Sequence, residues 1–221
     1  VTENLPIWAE FSSTPSTKVS LMTEWESKLN AIIKESLQDD VTGLLGVPSW
    51  MMVLLQRAMV AMNKDNLFEV WPNLEVYFHG GVSFEPYRNL YNKLFPSKDF
   101  KYFEIFNASE GFFAFQDTFE SNAMLLMTNH GIFYEFEDLK SGEILNLENV
   151  KIDKQYALII STYSGLWRYK VGDTILSKSV NPYRVVVTGR TKQFINAFGE
   201  EVIVQNSDKA ILDISELIEQ K

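Results

Sequence analysis

The feature that most constrains this fold is a change of pattern near Asn107. Upstream, apolar residues recur at helical spacing between short strand-like runs. Over residues 19–38, Leu21, Met22, Trp25, Leu29, Ile32, Ile33 and Leu37 form one apolar face, which predicts an amphipathic helix. Residues 43–47 read as a short strand or turn ending at Pro48, and residues 49–63, apolar almost all round, as a helix buried on most sides. Residues 74–78 predict a strand running into Gly80-Gly81, followed by a helix capped by Ser83 with Pro86 in its first turn. Residues 101–106 predict the next strand. Downstream, residues 124–127, 132–136, 156–161, 167–171 and 184–188 are all strand-like, and only residues 205–221 read as helix. Helix–strand alternation followed by a strand-rich region predicts an α/β architecture running into a mostly β subdomain, with residues 1–18 as an irregular leading segment.

Composition narrows the function. With 221 residues the chain is long enough for one substantial core or one domain with the start of another. A formal net charge of −9 argues against wrapping nucleic acid or lying on an anionic membrane, so neither is an expected partner. It leaves room for a phosphate ligand, which backbone N–H groups and a metal ion can neutralise locally. There is no cysteine and only His79 and His130, which excludes disulfides and makes a structural zinc site an unsuitable reading. No apolar run approaches a membrane span and residues 1–18 lack a secretory pattern, so the expected location is cytoplasmic.

Three strand ends turn into polar loops, where open α/β sheets place ligands. In Phe78-His79-Gly80-Gly81-Val82 the two glycines suit either a tight strand-to-helix turn or close approach of a flat ligand to the backbone. In Phe106-Asn107-Ala108-Ser109-Glu110-Gly111, Glu110 could hold a divalent cation and Ser109 could donate to a phosphate oxygen; a capped loop between two strands is the other reading. In Trp167-Arg168-Tyr169-Lys170-Val171-Gly172-Asp173, an Asp after a Gly at a strand end can accept from both hydroxyls of a ribose. Arg190, seventeen residues later, could reach the same sugar or a phosphate. Taken singly, a turn Asp and a surface Arg explain the same residues.

In combination the series resembles the signature of the adenylate-forming superfamily. Gly46-Val47-Pro48-Ser49-Trp50-Met51, Phe78-His79-Gly80-Gly81-Val82-Ser83-Phe84, Tyr169-Lys170-Val171-Gly172-Asp173, and the run from Gly189-Arg190-Thr191-Lys192-Gln193 to Gly199-Glu200-Glu201 resemble the bacterial branch of the auxin-responsive Gretchen Hagen family of acyl-acid amido synthetases. The resemblance runs over nearly the whole chain. It implies an adenylate-forming-ligase N-terminal domain, a helix-flanked sheet plus a strand-rich β subdomain, over residues 1–191. Residues 192–221 would be the hinge and the start of a small C-terminal domain. It implies ATP and Mg²⁺, activation of a small carboxylic acid as acyl-AMP, and transfer to an amine such as an amino acid. An acyl–coenzyme A ligase with a thiol acceptor, or a non-catalytic nucleotide-binding remnant, is the alternative.

Carried over position by position, Gly80, Gly81 and Val82 would line the adenine, flanked by Phe106, Asn107 and Ala108. Ser109 would contact the α-phosphate or the acyl carboxylate, Glu110 would hold Mg²⁺, and Asp173 with Arg190 would hold the ribose. Lys192 and Gln193 would form the hinge, and Trp50 and Met51 would face the acyl pocket. The sequence departs from the pattern at Lys170, where the family has Arg: the charge is kept and the planar fork is lost. The glycine-free Ser12-Ser13-Thr14-Pro15 does not replace the family's early phosphate-binding loop, and the small domain's lysine does not follow. The chain is therefore expected to be a portion of a longer enzyme.

Overall fold

The structure, a computed structural model, describes residues 7–191, 194–197 and 200–203. It divides into two compact units, Val1–Tyr102 and Phe103–Lys221. The boundary falls within a few residues of the change of pattern in the sequence.

The first unit carries the helices. Two short ones, α1 (Ile7–Glu10) and α2 (Thr17–Ser20), occupy the segment expected to be irregular. The helix expected over residues 19–38 is broken. Ser16 caps α2, and α3 (Trp25–Ser36) starts afresh where the Glu24 carboxylate accepts from the backbone N–H groups of Glu26 and Ser27 at 2.9 and 2.7 Å. Leu29, Ile33 and Ser36 line its buried face. The parallel strands β1 (Gly43–Gly46) and β2 (Val76–His79) are joined by a crossover through α4 (Pro48–Met62), as parallel pairing requires.

Pro48 opens α4, where its missing N–H costs nothing, and left-handed Asn63 closes it. Only the face of Pro48, Met52, Leu55 and Ala58 is buried, which corrects the expectation of a helix covered on most sides. Trp50, Val60 and Met62 stand exposed. An open groove of about 660 Å³, lined by Ile33, Leu37, Val53, Arg57, Val60 and Ala61, runs between α3 and α4.

After β2, Ser83 does not cap a helix. The chain makes a 3-10 turn at Glu85–Tyr87, with Phe84 at the cap position and Pro86 inside, and then continues as α5 (Arg88–Leu94). Buried rings fill this core: Tyr77 stacks on Tyr91 at 5.1 Å, Phe95 on Phe100 at 4.1 Å, and Phe84 packs edge-on to Tyr91.

The second unit is antiparallel. Its strands are β3 (Lys101–Ala108), β4 (Gly111–Phe115), β5 (Met124–Leu126), β6 (Ile132–Asp138), β7 (Ile144–Asn146), β8 (Gln155–Thr162), β9 (Tyr169–Val180) and β10 (Tyr183–Arg190). They lie in the order β3-β4-β5-β10-β9-β8-β6-β7. A separate hairpin pairs β11 (Phe194–Ala197) with β12 (Glu200–Ile203). Strands β4, β7, β11 and β12 were not among the sequence-based expectations. The sheet curls over a core of Phe113, Met124, Phe136, Tyr156, Leu158 and Ile160. Across that core the Tyr134 hydroxyl donates to the carbonyl of Met127 at 3.2 Å. Among the described residues no helix is long and apolar enough to cross a membrane. The helix expected over residues 205–221 lies outside the described residues.

Candidate active site

In the second unit, β3 runs through Ala108, so Phe106, Asn107 and Ala108 are strand residues rather than loop. Ala108 pairs with Gly111, leaving Ser109-Glu110 as a two-residue hairpin turn. The expected loop between two strands is therefore tighter than the sequence suggested. Phe106 is buried, Asn107 and Ser109 are exposed, and Glu110 is half-buried. Gly111 lets the turn close down: a Cβ there would lie 2.9 Å from the Ile132 Cδ1 of β6.

Asp173 does not end a strand. It sits inside the long strand β9, where Lys170 pairs with Ile159 and Thr174 with Ala157. Between these pairs one residue of β8, Leu158, thus faces three of β9, residues 171–173. The surplus forms a bulge with Gly172 at φ +90°. A second irregularity lies opposite in β10, between Val187 and Gly189. Bulges re-aim side chains, and here the result is a buried Asp173, only 6% exposed, whose Oδ1 lies 2.8 Å from Arg190 Nε. The Thr191 N–H donates to the carbonyl of Gly172 at 2.8 Å and holds the bulge shut.

Three more observations describe the surroundings of this ion pair. Burial raises the Asp173 carboxyl above its usual range; Arg190 pulls it down, and the Glu110 charge pushes it up again. Glu110 is therefore close enough to act on Asp173, although 63 residues separate them in the sequence. The Glu110 carboxylate also raises the Tyr169 pKa. The Thr174 and Thr188 hydroxyls meet at 2.9 Å beside Asp173 and Arg190. Sequence reasoning quoted Tyr169 within its motif and gave it no role. The available signal was its place four residues before Asp173 on one strand.

This half fits a magnesium ion. Mg²⁺ is commonly bound by one or two carboxylates plus substrate phosphates, and Glu110 offers such a hard oxygen donor. Among the described residues no cluster of three or more His, Asp or Glu could hold a metal alone, so the phosphates would have to complete the coordination.

The first unit holds the remaining candidates. Gly80 is buried, while Gly81 and Val82 are exposed. Gly81 has φ +83°, and a Cβ there would be strained in the backbone and 3.3 Å from Val47 Cγ2. His79 is 3% exposed, stacks on Phe84 at 4.1 Å, and has no partner for Nδ1. Burial, with help from the Arg88 charge, lowers its pKa to about 4, so it is neutral near neutral pH. Trp50 and Met51 turn different ways. Trp50 is 62% exposed and edge-on to Trp25 at 5.1 Å, whereas Met51 packs inward against the core with its Cε beside Gly46. Lys192 and Gln193 lie outside the described residues.

Comparison with known proteins was made against this geometry. Residues 1–100 match the model of the GH3 family N-terminal domain, and residues 125–190 match that of the GH3 family central domain. An indole-3-acetic acid-amido synthetase, GH3.2 of Arabidopsis thaliana, is 46% identical over 37 residues, 17% of this chain and 7% of that protein. A probable indole-3-acetic acid-amido synthetase, GH3.1 of the same plant, is 42% identical over 43 residues, 20% of this chain and 7% of that protein. Among solved structures, the GH3.15 acyl acid amido synthetase superposes with a TM-score of 0.72 at 16% identity, covering 93% of this chain and 47% of that one. The 2-hydroxyisobutyryl-CoA ligase in the postadenylation state with 2-HIB-AMP superposes with a TM-score of 0.64 at 13% identity, covering 86% of this chain and 41% of that one. At these identities the superpositions speak for the mixed α/β fold. The chain spans less than half the length of either solved relative.

Proposed function

The chain belongs to the GH3 family, and we propose that it supplies the adenosine- and metal-holding part of an acyl-acid amido synthetase. Such an enzyme activates a carboxylic acid with ATP as acyl-AMP and passes the acyl group to an amine. The observation that carries this reading is the gathering of Glu110, Asp173 and Arg190 in one unit from a hairpin turn, a strand bulge and the neighbouring strand.

In the first half-reaction the acid's carboxylate attacks the α-phosphorus, and pyrophosphate leaves. The difficulty is to bring two anions together. Asp173, with Arg190 on its Oδ1, would accept hydrogen bonds from the ribose hydroxyls with its remaining lone pairs and fix the sugar for in-line attack. In the second unit, Phe106, Asn107 and Ala108 would offer backbone and ring surface to the base; in the first, Gly80, Gly81 and Val82 are proposed as nucleotide-binding residues on the strength of their turn alone. Ser109, exposed at the turn, would donate to the α-phosphate or acyl carboxylate. Glu110 would hold Mg²⁺, whose charge offsets the repulsion.

Met51 and Trp50 are proposed for the acyl side, Lys192 and Gln193 for a hinge, residues 1–191 for part of the large domain and 192–221 for the start of the small one. The bacterial branch and a cytoplasmic location rest on the sequence reading. The partners would be a small carboxylic acid and an amine, with a thiol acceptor the alternative.

The test is calorimetric titration of this chain with ATP and MgCl₂, followed by the variants. Asp173→Asn should weaken ATP binding by about 1–3 kcal/mol, the range for losing a charge-assisted hydrogen bond. No detectable ATP binding by the unaltered chain would sink the nucleotide reading. Pyrophosphate release with amino acids versus coenzyme A would decide the acceptor in a full-length relative.

A further inference from the structure

Asp173 and Arg190 each follow a glycine that no side chain restrains. Gly172 has φ +90° and Gly189 φ +144°. Glycine has more backbone freedom than any other residue, so neither strand by itself aims its charged group sharply. Each glycine also lies at an irregularity, the surplus of β9 against β8 and the shift between Val187 and Gly189 in β10. The register of β9 with β10 nevertheless sets the two charges opposite each other. Asp173 pairs with Arg190, Thr174 with Gly189 and Ile175 with Val187, which leaves Thr188 as the surplus residue of β10.

Three threonines tie this stretch down from both sides of the ion pair. On one side, Thr191 donates to the carbonyl of Gly172 twice, through its backbone N–H at 2.8 Å and its Oγ1 at 3.2 Å. On the other, the hydroxyl of the surplus Thr188 meets that of Thr174 at 2.9 Å. A residue of β10 thus secures the bulge of β9, and a residue of β9 secures the irregularity of β10. Asp173 Oδ1, 2.8 Å from Arg190 Nε, lies between the two ties. Thr191 is exposed, so its hydroxyl is not there to fill a core.

We propose that Thr174, Thr188 and Thr191 are positioning residues that hold Asp173 and Arg190 in one geometry before a nucleotide arrives, so that the carboxylate meets the two ribose hydroxyls with little freedom left to lose. The inference rests on the nucleotide reading above and extends it to residues that need not touch ATP. Two neighbouring hydroxyls demand a carboxylate whose lone pairs face both, and hydrogen bonds weaken steeply as their angle bends. The ties therefore act on recognition of the sugar and leave the base and the phosphates alone.

The experiment titrates ATP and 2′,3′-dideoxy-ATP into this chain, for the unaltered protein, Thr191→Val, Thr191→Ser, the double variant Thr174→Val/Thr188→Val, and Thr191→Val in an Asp173→Asn background. Thr191→Val should weaken ATP binding by about three- to tenfold, the worth of one hydrogen bond, and leave the dideoxy nucleotide unchanged. Thr191→Ser keeps the hydroxyl and should restore ATP affinity. With Asp173→Asn already present, Thr191→Val should add nothing, because the group it positions is altered. Thr174→Val/Thr188→Val replaces both hydroxyls by methyl groups of the same shape and should repeat the loss for ATP alone, whether or not Thr191→Val folds. Unchanged ATP affinity in these variants overturns the proposal alone, and so does equal weakening of both nucleotides, which would mark a merely structural role. If the unaltered chain binds the two nucleotides equally, or binds neither, the ribose reading itself fails and takes this proposal with it.

Discussion

The two units handle buried charge differently. The first buries rings and keeps charge out of its core: Tyr77, Tyr91, Phe84, Phe95 and Phe100 pack face and edge, and His79, the one buried base among its described residues, is kept neutral. The second also buries rings, Phe113, Phe136 and Tyr156 among them, but sets charge against its margins, with Asp173 buried against Arg190 and the Glu135 and Glu137 carboxylates paired to β9. An uncharged, glycine-bearing turn suits a flat base. A bulged strand with a buried carboxylate suits sugar hydroxyls and a cation. The contrast teaches that a ring-filled interior keeps its one buried imidazole neutral, whereas a sheet can hold a buried carboxylate where a bulge brings an arginine to it.

The largest effect should come from the rings. Tyr91→Ala removes a side chain that is fully buried, stacked on Tyr77 and hydrogen-bonded to the carbonyl of Pro48 at 2.8 Å. It should cost about 3–5 kcal/mol, read from the urea midpoint of the first unit. A loss below about 1 kcal/mol would mean that stacking does not hold this unit together.

Acid should separate the units next. The folded pKa of His79, about 4, lies below its ordinary 6.5. Its contribution is therefore complete above pH 6.5 and is lost as pH falls towards 4, where the unfolded chain takes up a proton the folded unit refuses. The loss should be about 3 kcal/mol, and His79→Gln should flatten it. Asp173 has the opposite sign. Its pKa is raised by burial, so the folded unit holds the proton longer, and its contribution falls as pH rises from 3.8 through the folded value. Equal slopes in His79→Gln and the unaltered protein would break the contrast.

The bulge gives a smaller effect. Gly172 has φ +90° and open space around a Cβ, so Gly172→Ala meets backbone strain alone. The cost should be about 1–2 kcal/mol in stability, with a matching loss of ATP affinity if the bulge aims Asp173. Retained affinity would show that Arg190 alone holds the carboxylate in place.

Smallest is Lys170→Met. Its bond to Glu137 is solvent-exposed, with the lysine side chain 61% accessible, so the change should cost about 0–1 kcal/mol by thermal melting. A larger loss would mean that the lysine standing where the family has arginine carries more of β9 than its exposure allows.

Much of the fold was legible because it is local. The helical spacing around Leu29 and Ile33, Pro48 at the start of α4, and the glycines after β2 each act within one or two turns of chain. So does the loss of helical pattern beyond Asn107, and with it the two-unit division. The candidate residues Glu110, Asp173 and Arg190 were also legible, through their motifs. What the sequence could not declare depended on partners far along the chain. The exposed face of α4 follows from which elements cover it, since an apolar helix does not record which side has a neighbour. The placing of Asp173 inside a strand follows from a two-residue mismatch with β8, because a bulge is a property of two registers and is invisible in one. The approach of Tyr134 to the carbonyl of Phe113, at 3.5 Å, exists because the sheet returns β4 over β6, closing a separation of 21 residues. Residue types thus determined which chemistry this protein could hold, and tertiary packing alone decided which groups meet, because hydrogen bonds and charges act over a few ångströms of space and take no account of distance along the chain.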